Sequence, residues 1–160
     1  MISYMLNFTS GKRHILGIDY DNDKIELANS CISKNDRINF IAADAVTYNY
    51  PQADIFLLSD VLHYITEDKQ EQLLLNCIKH LNPGGIIIIR DADKELQKRH
   101  LGTRYTEFFS TRFGFNKSVN KKLSFFSGKP IKELAGKNNM SLEIVDNSKF
   151  TSNLLYILRY

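Results

Sequence analysis

Four short apolar runs in this 160-residue sequence stop on residues that can do chemistry: Asp19–Tyr20, Asp44–Ala45, Ser59–Asp60 and Arg90–Asp91. An ionised carboxylate is acceptor-only, with two oxygens and about four lone-pair sites. Asp19 is therefore suited to accept from both vicinal hydroxyls of a ribose. Tyr20 beside it could pack against a base, and Asp44 could accept from that base's exocyclic amine. The plainer duty for either acid is a helix N-cap or a turn. Two acids at corresponding run ends favour a nucleoside site over that duty.

The elements that must position these residues follow from periodicity. Residues 2–9 read as the tail of an amphipathic helix, closed by a turn at 10–12. A buried strand over 14–19 is followed by a helix capped by Asp21 or Asn22, with Ile25, Ala28 and Ile32 facing inward. Strands follow at 37–44 and 53–60. Thr66 caps a helix whose stripe is Leu73, Leu74, Cys77, Ile78 and Leu81, and the "NPGG" at 82–85 stops it. A strand at 86–91 precedes a polar and aromatic stretch, 94–127. A short helix and turn over 129–140 and two strands, read as an antiparallel hairpin, close the chain.

Strands alternating with helices imply right-handed crossovers and a mostly parallel sheet covered on both faces. The expected fold class is thus α/β, a three-layer Rossmann-like sandwich with a C-terminal antiparallel hairpin, built as a single domain over 1–160. Ligands in such sheets bind outside the carboxyl ends of the strands, so the four run ends should share one rim.

Composition narrows the classes. With 43% hydrophobic and 24% charged residues the chain is globular, and a net charge of +3 is too mild to imply nucleic-acid binding. Cys31 and Cys77 both fall in expected helices without metal-type spacing, which suggests buried thiols and a reducing cytoplasm. The aliphatic run "IIII" at 86–89 is far too short to span a membrane, and the first residues lack the order of a signal peptide. His14, His63, His80 and His100 have no ligand spacing, so no metal site is expected.

With "ILGIDYDNDKIELA", "INFIAADAV", "ADIFLLSDVLHYI" and "LNPGGIIIIRD" in this order, residues 1–92 resemble the class I S-adenosylmethionine-dependent methyltransferases. The closing "SLEIVDN" and "NLLYILRY" look like that family's terminal hairpin. The resemblance implies S-adenosyl-L-methionine as cofactor, bound by Asp19 at the ribose, Tyr20 at the adenine, and Asp44 and Ala45 at the adenine edge. Ser59 would line the methionine moiety and the transferring methyl. His63 resembles a histidine often found after this strand, although packing the start of the next helix explains it as well or better. Asp60, His63 and Asp91 are the candidate catalytic residues should the acceptor need to lose a proton; turn or capping duty is the alternative for the two acids.

The family's first strand and glycine-rich loop have no counterpart here. The eight glycines stand at 11, 17, 84, 85, 102, 114, 128 and 136, and none forms such a loop. The expectation is an N-terminally truncated domain, weak or inactive alone, that is fused to or pairs with a missing N-terminal segment. Where that strand would lie, the strands ending at Asp19 and Ser59 should form a distorted pair or leave a gap. Segment 94–127, with Arg99, Arg104, Arg112, Tyr105, Phe108 and Phe113, falls at the family's substrate-side insertion. A lid packed on the sheet is favoured there over a membrane-surface contact. The expected activity is methyl transfer to a small-molecule, lipid-like or otherwise, acceptor. The competing readings are a non-catalytic remnant serving as an interaction domain and a nicotinamide-dependent oxidoreductase. The second is weakened by the lack of a Gly-x-Gly-x-x-Gly loop.

Overall fold

In a computed structural model, the structure describes residues 2–93, 128–146 and 153–160. The segment read as a substrate-side insertion lies outside the described residues. The chain divides into two compact units, Met1–Asn49 and Tyr50–Tyr160.

The first unit holds α1 (Ile2–Thr9), β1 (Ile15–Asp19), α2 (Asn22–Asn29) and β2 (Ile38–Ala42). β1 and β2 are parallel, in register from Ile15 opposite Ile38 to Asp19 opposite Ala42. Asp21 caps α2, its side chain accepting from the Asp23 amide. The helix ends at Asn29, because Ser30 closes its last turn through bonds to the Glu26 and Ala28 carbonyls. That early stop corrects two expectations. Ile32 falls beyond the helix and is fully exposed, and Cys31 lies in the turn, half-buried. β1 is half-buried along its whole length rather than buried, since β2 is its one ladder partner among the described residues. Within this unit the buried hydrophobic side chains are Ile25, Ile38 and Val46. Gly17 is required where it stands: a Cβ there would come within 2.5 Å of the Phe40 ring. The Tyr4 hydroxyl, donating to the Ala28 carbonyl at 2.6 Å, ties α1 to α2.

The second unit holds β3 (Ala53–Ser59), a 3-10 turn (Leu62–Tyr64), α3 (Glu67–Lys79), β4 (Leu81–Ala92), α4 (Gly128–Lys137), β5 (Ser141–Val145) and β6 (Asn153–Arg159). Its sheet runs β3-β4-β6-β5, with β3 parallel to β4 and both β4–β6 and β5–β6 antiparallel. The expected hairpin is therefore present, and the parallel pairs joined through helices make the architecture α/β and Rossmann-like. Among the described residues the strands form two sheets, β1-β2 and β3-β4-β6-β5.

Phe56, Leu58, Ile87, Ile89, Tyr156 and Leu158 alternate along their strands into the core of this unit. Leu73, Leu74, Cys77 and Ile78 meet them from α3, as the 3.6-residue period requires. The opposite face of β3 carries Ile55 and Leu57, 54% and 38% exposed, so this strand is not covered on both sides as expected.

The "NPGG" segment does not stop α3. His80 already ends the helix, its amide reaching the Cys77 carbonyl and its Nδ1 donating to the Asn76 carbonyl at 2.9 Å. Asn82–Gly85 instead bulge within β4, where the register jumps from Ala53 opposite Leu81 to Ile55 opposite Ile86. Gly84 takes φ +76°, a left-handed conformation open to glycine at little cost.

Candidate functional site

In the first unit the parallel register carries Asp19 and Asp44 to the same carboxyl rim. Asp19 stands opposite Ala42, and the Ala43 amide donates to the Asp19 carbonyl at 3.0 Å, so the two chains leave the ladder side by side. Each acid organises its own exit. Asp19 Oδ1 accepts from the Asp21 amide at 2.9 Å, which folds the chain into α2. Asp44 Oδ1 accepts from the Val46 amide at 2.9 Å, two residues past the end of β2. These Asx turns are the alternative duty anticipated for the two acids. They occupy one oxygen of each carboxylate in one bond and leave acceptor capacity on both groups. Asp44 and Tyr20 are exposed, Tyr20 at 64%, while Asp19 and Ala45 are half-buried. Two acceptor-only groups at one rim fit a ligand that presents a diol and an amine.

The second unit gathers the other candidates at the carboxyl end of β3 and β4. Asp60 leaves β3 in a left-handed conformation, φ 55°, tolerable for Asp, which often stabilises that region through local hydrogen bonds. Its Oδ2 accepts from the Ser59 hydroxyl at 3.1 Å and from Arg90 Nη1, while its amide donates to the Arg90 carbonyl at 2.8 Å. The register pairs Ser59 with Arg90, so the ion pair follows directly from strand alignment. Both side chains are 45% exposed, a setting in which such a pair contributes little to stability. Asp60, expected as a possible base, is thus occupied by a guanidinium.

Asp91 is also not at an open strand end. β4 continues to Ala92 and Asp91 pairs across to Leu154 of β6, and the residue is buried, 0% exposed as a whole. The Leu62 amide donates to Oδ2 at 2.8 Å and the Ala92 amide to Oδ1 at 2.8 Å. His63 Nδ1 lies 2.7 Å from Oδ1. Burial and three bonds within the chain give Asp91 an internal task.

His63 sits in the 3-10 turn, 9% exposed, its ring centroid 4.0 Å from that of Tyr64. The turn is held from two sides. Asp91 grips its first amide, and buried Gln70 of α3 donates from Nε2 to the Leu62 carbonyl at 2.9 Å and the Ile65 carbonyl at 3.2 Å. Gln70 escaped the sequence reading because a glutamine within a helix carries no signal of what lies over it.

A further buried acid, Asp93, was also missed. Its Oδ2 accepts from the Gly128 amide at 2.9 Å, at the start of α4, and from the Tyr156 hydroxyl. The nearby cavity of about 380 Å³ is lined by Lys129 and Lys132 of α4 together with Ile144 and Leu154; none of the expected site residues borders it.

Residues 2–85 match the family described as "Methyltransferase domain". Over 80 residues the chain is 30% identical to phosphoethanolamine N-methyltransferase of Plasmodium falciparum, covering 49% of this chain and 30% of that protein. The fold is shared with the N-methyltransferase NodS of Bradyrhizobium japonicum WM9, solved with S-adenosyl-L-homocysteine. That match has a TM-score of 0.64 at 19% identity and covers 92% of this chain and 66% of the other. A putative O-methyltransferase of Nostoc punctiforme gives a TM-score of 0.71 at 17% identity over 98% of this chain and 48% of its own. The chain thus spans less than two thirds of the length of each of these relatives.

Proposed function

Because this chain belongs to the methyltransferase-domain family, we propose that it binds S-adenosyl-L-methionine and serves methyl transfer to a small-molecule acceptor. The observation that carries this reading is the shared rim of Asp19 and Asp44. One carboxylate would accept from the ribose hydroxyls and the other from the adenine amine. Tyr20 would lie against the adenine face and Ala45 along its edge.

The sulfonium supplies an electrophilic methyl with a neutral leaving group. What remains for the protein is mostly alignment of acceptor and methyl. Where the acceptor must lose a proton, His63 takes it. Asp60 and Asp91 are engaged by Arg90 and by the chain itself, and they support the site rather than react.

The test is a titration of the 15N-labelled chain with S-adenosylhomocysteine up to millimolar concentration, a range that also captures weak binding. Amide shifts at Asp19, Tyr20, Asp44 and Ala45 should saturate together. Asp19→Ala should weaken binding by about tenfold or more, since each of the two charge-assisted hydrogen bonds it removes is worth about that much. Saturable binding that leaves these four amides unmoved, or no binding at all, would overturn the proposal.

A further inference from the structure

The second unit contains a buried acid, Asp91, that accepts from two backbone amides and meets the His63 ring. We infer that Asp91 is the positioning residue for His63: it fixes the ring proton on Nδ1 and makes Nε2 the basic nitrogen. The inference rests on the reading of His63 as the group that takes the acceptor's proton.

The argument is a count of donors. An amide N–H can only donate, so Leu62 at 2.8 Å and Ala92 at 2.8 Å oblige both oxygens of Asp91 to accept. Oδ1 receives His63 Nδ1 at 2.7 Å in addition to Ala92. With both oxygens already accepting from amides, the hydrogen between Oδ1 and Nδ1 is the one the ring nitrogen donates. In the neutral ring the other nitrogen then carries the lone pair. Burial reinforces the arrangement, because the side chain of Asp91 is 1% exposed and water does not compete for its oxygens.

The same carboxylate also fixes where the ring is. It holds the Leu62 amide, one residue before His63, while Gln70 holds the Leu62 and Ile65 carbonyls on either side. Backbone and ring are therefore referred to a single buried group, which limits both translation of the turn and rotation about the His63 side chain.

The experiment is a long-range 1H–15N correlation spectrum of the imidazoles in the full chain, with His63 assigned by His63→Gln. The neutral ring should be the Nδ1–H tautomer in about tenfold excess or more, as a charge-assisted bond implies. In Asp91→Asn the ratio should fall by about tenfold or reverse, since an amide cannot accept from all three donors. Asp93→Asn, a buried acid of the same unit that makes no bond to His63, should leave the ratio unchanged; this separates positioning from general loss of structure.

A wild-type ring dominated by Nε2–H, or an unaltered ratio in Asp91→Asn, would overturn the inference. If Asp91→Asn fails to fold by circular dichroism, the wild-type tautomer alone decides. Failure of the methyltransferase reading is told apart by the S-adenosylhomocysteine titration, which does not depend on the tautomer.

Discussion

The junction of Asp93, Tyr156 and Gly128 is open to a stringent energetic test. Tyr156 is 0% exposed and Asp93 4% exposed, and the hydroxyl of one donates to Oδ2 of the other. Tyr156→Phe keeps the ring and its packing, and removes one donor from a buried carboxylate. A hydrogen bond to a charged group is worth about 1.5–3 kcal/mol net, and that is the expected cost. Asp93→Asn keeps the shape but sets an amide against the Gly128 amide and the tyrosine hydroxyl, with a cost of about 2 kcal/mol. The double variant has no such bond left to lose, so it should be less destabilised than the sum of the two by about 1.5 kcal/mol. Native-state hydrogen exchange at the ladder amides of β4 and β6 reads this unit directly. Additivity within about 0.5 kcal/mol would refute the reasoning, because it would mean the two groups do not share a bond.

Two further outcomes follow from packing and burial. Gly17→Val would drive a side chain into the Phe40 ring, whose atoms stand 2.5 and 2.7 Å from the new Cβ; overpacking of this kind costs about 1–3 kcal/mol, readable as faster amide exchange in β1 and β2. Burial pushes the Cys77 thiol up from 9.0 to about 12, so iodoacetamide at pH 8 should label Cys31 and spare Cys77, as peptide mass spectrometry will report. The folded state then retains a proton that the unfolded thiol gives up. Stability should therefore fall as pH rises from about 9 towards 12, by a part that Cys77→Ala abolishes.

Much of the fold was legible because its signals are local. The alternation of apolar runs with capped helical stretches marked every strand of the described residues, and the parallel order followed from it. The Asp19 and Asp44 positions were legible for the same reason: a strand end can be read from where its apolar run stops. Asp91 was misjudged by that very rule. The apolar run stops at Ile89, but the ladder continues to Ala92 because β6 pairs alongside it. An acid that reads as an open terminus is in fact a buried ladder position, one residue short of the end of β4. No pattern near residue 91 records that Leu62 and His63, some thirty residues earlier, fold over it. Helix α2 erred in the other direction, since the 3.6-residue period continues to Ile32 although Ser30 has already closed the last turn.

The few buried side chains of the first unit have a thermodynamic consequence. Ile25, Ile38 and Val46 form a core much smaller than that of the second unit, where Leu62, Leu73, Ile87, Ile89 and Leu158 are among many enclosed side chains. Cooperativity grows with the apolar surface that melts together, and heat capacity reports that surface. A calorimetric trace of this chain should therefore resolve a small, early endotherm from a larger, later one. A nucleoside held by Asp19 and Asp44 would draw the first peak upward toward the second.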